Sequence, residues 1–146
     1  MMPATSRLSA LLGLSACLWL APAARADTAA SPGLSCQAGA APMARLELLF
    51  GMSRRDAAPV SDEEWQSFVD QEVTPRFPDG LTVVQAYGQW RNSKGTIAKE
   101  NSRVLMIWYE PKPGSDAQVE AIRSAYKARF KQESVMRVDS FSCVSF

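Results

Sequence analysis

Four strand-like and two amphipathic helical stretches follow one another in the order β, α, β, β, α, β. This order predicts an α+β domain of the ferredoxin-like, split βαβ plan: a four-stranded antiparallel sheet of spatial order 4-1-3-2 with both helices on one face. Two further observations support the plan. Leu81 to Tyr109 reads as one long β-hairpin, two segments rich in Val, Ile, Tyr and Trp joined through the turn-forming Asn92-Ser93-Lys94-Gly95. Cys36 and Cys143 lie before the first strand and at the end of the last, which this strand order places side by side and antiparallel. An even pair of this kind in an oxidising compartment predicts a Cys36–Cys143 disulfide.

The N-terminus supplies that compartment. Arg7 is the only charge before the apolar run LSALLGLSACLWLAPAA, and Ala24-Arg25-Ala26 places small residues at the first and third positions before Asp27. Residues 1–26 therefore read as a secretory signal peptide. Its apolar core, Leu8 to Leu20, is 13 residues long, short of the roughly 20 that span a bilayer as a helix, so no membrane span is expected. A competing reading takes Leu14-Ser15-Ala16-Cys17 as a lipobox and makes Cys17 the lipid anchor of an outer-membrane lipoprotein. It ranks second, because Leu18-Trp19-Leu20 continues the apolar run where a lipoprotein begins a polar tether. The expected location is periplasmic or secreted. Without residues 1–26 the chain carries 14 bases against 15 acids, which lacks the basic footprint of a nucleic-acid binder.

Residues 27–44 are mostly Ala, Ser, Pro and Gly and read as a flexible tether, leaving 45–146 as the single domain. Arg45 to Met52 alternates as the first strand, with Leu46, Leu48 and Phe50 on one side. Ser61 then opens a helix as N-cap, with Glu64 closing a capping box and Val60 stapling onto Trp65. Trp65, Phe68, Val69 and Val73 form its apolar stripe, and Pro75 stops it at Thr74. In the hairpin both alternating sets are largely apolar, so both faces of the sheet need a cover. Ser115 is expected to cap the second helix, with Gln118 at the capping-box position and Val119, Ile122, Tyr126 and Phe130 as the stripe. Ser134 to Val144 is the last strand.

The stretches LELLFG, VSDEEWQSFVDQEVTPRFPDGLTV, GQWR, AIRSAYKARFKQESVMRVDS and CVSF resemble an exported bacterial family known as domain of unknown function 3574. The resemblance runs from about Cys36 to Phe146 and implies the export signal and the paired cysteines. It brings no established activity. The chain departs from the family at Leu49, where an aromatic residue is expected, and at Met52, where a basic one is frequent.

The chain has no histidine, which excludes Ser-His and Cys-His nucleophiles and most zinc sites. No CxxC pair and no glycine-rich phosphate loop appears, so neither a metal nor a cofactor is expected. The acids Asp62-Glu63-Glu64 are explained by the helix start. The polar group of most interest surrounds the hairpin: Gln89, Trp90 and Arg91 on one arm, Lys99, Glu100 and Arg103 on the other, with Arg76 as a further anion-binding candidate. Trp90, Arg91, Glu100, Arg103 and Arg76 are thus the candidate ligand-binding residues, an aromatic plate beside guanidinium forks. A solvated hairpin with cross-strand ion pairs is the simpler account of them.

Two function classes follow. The first is an exported, non-catalytic module that binds a small ligand or a protein partner. The second is a cofactor-free enzyme with its pocket at a dimeric sheet–sheet seam. Both place the partner, a second copy or another protein, on the sheet face that the helices leave open. For processing, we expect the exported protein to begin at Asp27; an intact mass that includes a diacylated Cys17 would reverse that order of preference.

Overall fold

The computed structural model describes residues 35–146. The expected signal peptide, the candidate lipid site at Cys17 and the tether up to residue 34 lie outside the described residues. The elements are β1 (Ala41–Gly51), α1 (Asp62–Phe68) with a π-helical turn (Val69–Val73), β2 (Thr82–Arg91), β3 (Ile97–Tyr109), α2 (Ser115–Phe130) and β4 (Met136–Val144). All neighbouring strands are antiparallel, in the order β2-β3-β1-β4. This is the expected 4-1-3-2 sheet.

β1 starts at Ala41, four residues before the expected Arg45, so residues 41–44 belong to the sheet rather than to a tether. Pairing with β4 causes this, since Ala41 lies opposite Val144 and Pro42 opposite Cys143. Pairing with β3 begins only at Ala44, so Pro42 has one neighbouring strand, where a residue without an N–H is tolerated.

The α1 start is as the sequence predicts. The Ser61 hydroxyl accepts from the Glu64 N–H at 3.2 Å, and the Glu64 carboxylate accepts from the Ser61 N–H at 3.0 Å. This backbone hydrogen bond is the main reason that the Glu64 carboxyl lies below its usual range. After Phe68 the helix widens, and the Thr74 N–H reaches back to the Val69 carbonyl at 2.9 Å, five residues away. In an unbroken α-helix Val73 would lie about 80° around from Trp65. The wider turn brings it back, and Trp65, Phe68, Val69 and Val73 are all buried.

The start of α2 differs from expectation. Gly114, at φ 92°, is the N-cap and no side chain caps the helix, while Ser115 is the first helical residue and its hydroxyl accepts from the Lys112 N–H at 3.0 Å. The positive φ suits glycine, which has no Cβ to clash. The stripe itself is as read: Val119, Ile122, Tyr126 and Phe130 are buried.

The core lies between both helices and the sheet face formed by Leu46, Leu48, Phe50, Leu105 and Ile107. Phe50 is its centre, meeting Tyr126, Trp65 and Phe68 edge to face with centroids at 4.6, 5.1 and 5.8 Å. Such contacts add about 0.5–1.5 kcal/mol each beyond burial.

Cys36 and Cys143 form a disulfide across a sequence separation of 107 residues, with Cα atoms 5.4 Å apart. Restricting the unfolded chain over so long a loop contributes up to about 4–5 kcal/mol. We expect reduction, or Cys36→Ser with Cys143→Ser, to lower the urea midpoint while leaving the far-UV circular dichroism native, because the core contains neither cysteine. Loss of folded structure on reduction would contradict this.

Candidate functional site

The hairpin carries the two candidate residues that the fold brings together. Strand register sets Trp90 opposite Ala98 and Gly88 opposite Glu100, so Trp90 and Glu100 are diagonal neighbours on the face away from the helices. Gly88 has no side chain between them. The Trp90 indole N–H donates to Glu100 Oε1 at 2.7 Å, and the Ser53 backbone N–H donates to Glu100 Oε2 at 3.0 Å. Gly51, the last residue of β1, completes the seat: a Cβ there would come within 2.6 Å of both carboxylate oxygens. The glycine is needed for close approach rather than for an unusual backbone angle.

The other candidates lie elsewhere. Arg103 projects to the helix side, where its Nη2 pairs with Asp62 and its buried Nε has no partner among the described residues, and it lines two hollows near α1. Arg91 donates to the Gly95 carbonyl at 3.1 Å within the turn. Arg76 returns to the Glu72 carboxylate at 3.0 Å and closes the exit of the first helix. Alternation explains the separation, because Arg91 and Arg103 have the opposite parity to Trp90 and Glu100 along their strands.

Trp90 and Glu100 line two cavities and form a wall common to both. One, of about 200 Å³, opens on the sheet face, with Leu49, Gly51, Gly88, Ser102 and Met136 around it. The other, of about 340 Å³, lies between the hairpin turn, the loop after β1 and the exit of α2. Glu133 ties its walls together, accepting from the Ser93 N–H at 3.2 Å and from Arg55 at 3.0 Å. Hydrogen bonds from Ser93, followed by the charge of Arg55, hold the Glu133 carboxyl below its usual range. Gln132 adds a bond from Nε2 to the Ser53 carbonyl at 2.5 Å.

Sequence reasoning missed Gly51, Ser53, Lys131 and Gln132 as parts of this region. The first ends a strand and the last two end a helix, positions whose ordinary structural uses hide any other role. Tyr126, raised in pKa chiefly by burial, donates to the Gly51 carbonyl at 2.8 Å, and its oxygen lies 3.6 Å from the Met52 sulfur. Met52 thus serves the core.

These features define a disulfide-bridged, ferredoxin-like α+β domain with one open sheet face and a cavity wall built on its hairpin. The chain belongs to the family described as Protein of unknown function (DUF3574), whose model matches residues 45–146. No curated protein matches it. Among solved structures it is similar to a phage SAM lyase in complex with S-methyl-5'-thioadenosine, with a TM-score of 0.57 and 16% identity over 80% of this chain and 97% of that one. The apo state of a phage SAM lyase gives a TM-score of 0.52 and 19% identity over 77% and 95%. CutA from Synechococcus elongatus gives 0.41 and 13% over 70% and 78%. At these identities the likeness to the lyase concerns the fold.

Gly51→Ala should push the Glu100 carboxylate off its seat and break the Trp90 hydrogen bond, at a modest stability cost of about 0.5–1.5 kcal/mol, because only the end of a flexible, half-buried side chain has to move. A red shift of tryptophan emission, reproduced by Glu100→Ala alone and not deepened in the double variant, checks it; unchanged emission and stability would show the carboxylate seat to be immaterial.

Proposed function

We propose that the protein is an exported, non-catalytic binding module that works through its open sheet face, pairing there with a second copy and holding a small ligand at the seam. The observation that carries this reading is an apolar row across all four strands. Val84, Val104, Leu49 and Met136 stand in register on β2, β3, β1 and β4, with Met106 and Val138 in the adjacent row. Val84, Val138 and Met136 are 44%, 42% and 60% exposed, and Leu49, Val104 and Met106 between them are half-buried. A patch of this extent on a sheet face is typical of an interface. Arg45 and Glu47, paired with each other on the same face, favour a second copy as the occupant, because a two-fold axis can set each charge against its opposite.

The cavity of about 200 Å³ beside Trp90 and Glu100 shares Leu49 and Met136 with this row, so a ligand held there would lie at the seam. The non-catalytic reading draws on the tyrosines. Tyr126 is engaged with the Gly51 carbonyl, Tyr109 packs against Phe77, and neither lines the two cavities on the Trp90–Glu100 wall. The disulfide suits an oxidising compartment, and no helix among the described residues is long and apolar enough to cross a membrane.

Light scattering at micromolar concentration tests the pairing. We expect a dimer mass for the wild type and a folded monomer for Val104→Asp, whose charge would be buried without a partner at the seam. A wild-type monomer would defeat the reading.

A further inference from the structure

The larger cavity, on the other side of the Trp90–Glu100 wall, has a charge pattern of its own. Every ion pair among the described residues is made by an arginine, and no lysine takes part in one. The chain has five lysines, and three of them, Lys94, Lys99 and Lys131, line this one cleft. They come from the hairpin turn, β3 and the end of α2, so only the tertiary fold gathers them. The two arginines of the cleft are already matched, Arg54 by Glu64 and Arg55 by Glu133. Glu100, the remaining carboxylate on the lining, accepts from Trp90 and Ser53. Three lysines against Glu100 leave a surplus of two positive charges in a cleft of about 340 Å³.

Lys131 adds an independent observation. It holds φ 58° at the C-cap of α2, the one described non-glycine residue with a positive φ. Glycine is the usual residue at such a position, because a Cβ is penalised there. Residues kept in an unfavourable backbone region cluster at functional sites, and this one lines the cleft.

We propose that this cleft binds a phosphate monoester carried on a flat ring, the phosphoryl group among Lys94, Lys99 and Lys131 and the ring against Trp90. A phosphate monoester carries a charge of about −1.5 to −2 at pH 7, which matches the surplus, whereas a carboxylate or sulfonate would neutralise half of it. Lysine holds phosphate as a point charge from a flexible stem, which suits three ammonium groups on separate elements. The hydrogen bond to Glu100 fixes the indole edge, so its face can serve as a stacking plate. Glu133 holds the turn to the α2 exit before any ligand arrives.

Phenyl phosphate is the probe, titrated calorimetrically at low salt into the full disulfide-bonded protein, with phenol, benzenesulfonate and inorganic phosphate alongside. We expect phenyl phosphate to bind tightest and to weaken below about pH 6, where it loses its second charge. Lys94→Ala, Lys99→Ala and Lys131→Ala combined should weaken it by roughly tenfold or more, with the melting temperature checked in parallel. Lys131→Gly separates binding from folding: it should weaken phenyl phosphate binding while leaving the melting temperature equal or higher. Equal affinity for benzenesulfonate, equal affinity for inorganic phosphate, or unchanged binding in the triple variant would each overturn the proposal. Binding should persist in Val104→Asp, so its failure is distinguishable from failure of the open-face reading.

Discussion

The hydrogen bond from the Tyr126 hydroxyl to the Gly51 carbonyl joins the three parts on which this molecule depends. Tyr126 belongs to the core, where its ring packs on Phe50, Phe68 and Phe130. Gly51 ends β1 and gives the Glu100 carboxylate room to lie over the sheet. A buried hydroxyl without a partner is costly, so the position of α2 and the end of β1 are fixed together. Ser53 and Glu100 then follow, because the chain leaves β1 two residues later.

The sheet has two unlike faces, and their inequality follows from chirality. Right-handed crossovers place both helices on one side, where Leu46, Leu48, Phe50, Leu105 and Ile107 meet the helical stripes. The opposite face receives no helix, yet its strands keep Val84, Val104, Leu49 and Met136 in one row. Trp90 and Glu100 stand beyond the end of that row, toward the hairpin turn. One residue pair thereby faces two cavities of different character, apolar on the sheet side and cationic on the side of the α2 exit.

Local chemistry made much of the fold legible. The capping box at Ser61 and Glu64, the stripe from Val119 to Phe130 and the Asn92 to Gly95 turn each rest on neighbours in sequence, and each occurs where its residues predict. The disulfide was legible for a different reason, since the topology itself brings Cys36 to Cys143. The start of α2 was misread at Ser115 because Gly114 solves the same problem through backbone conformation, and β1 was read short because pairing with β4 extends it over residues whose own propensity is weak.

The candidate site divides along the same line. By itself the sequence determined the strand order, the core stripes, the cysteine pair and the placing of Trp90 and Glu100 on facing arms of one hairpin, while their register as diagonal neighbours came from the structure. Only the tertiary structure decided that Arg103 is taken up by Asp62 at the start of α1, whereas Arg76 and Arg91 turn to Glu72 and Gly95, near neighbours in sequence. It also decided that Gly51, Ser53 and Lys131 stand beside Trp90 and Glu100. Their approach depends on how β1, the hairpin and α2 close around one buried tyrosine, a constraint carried by packing across the whole chain.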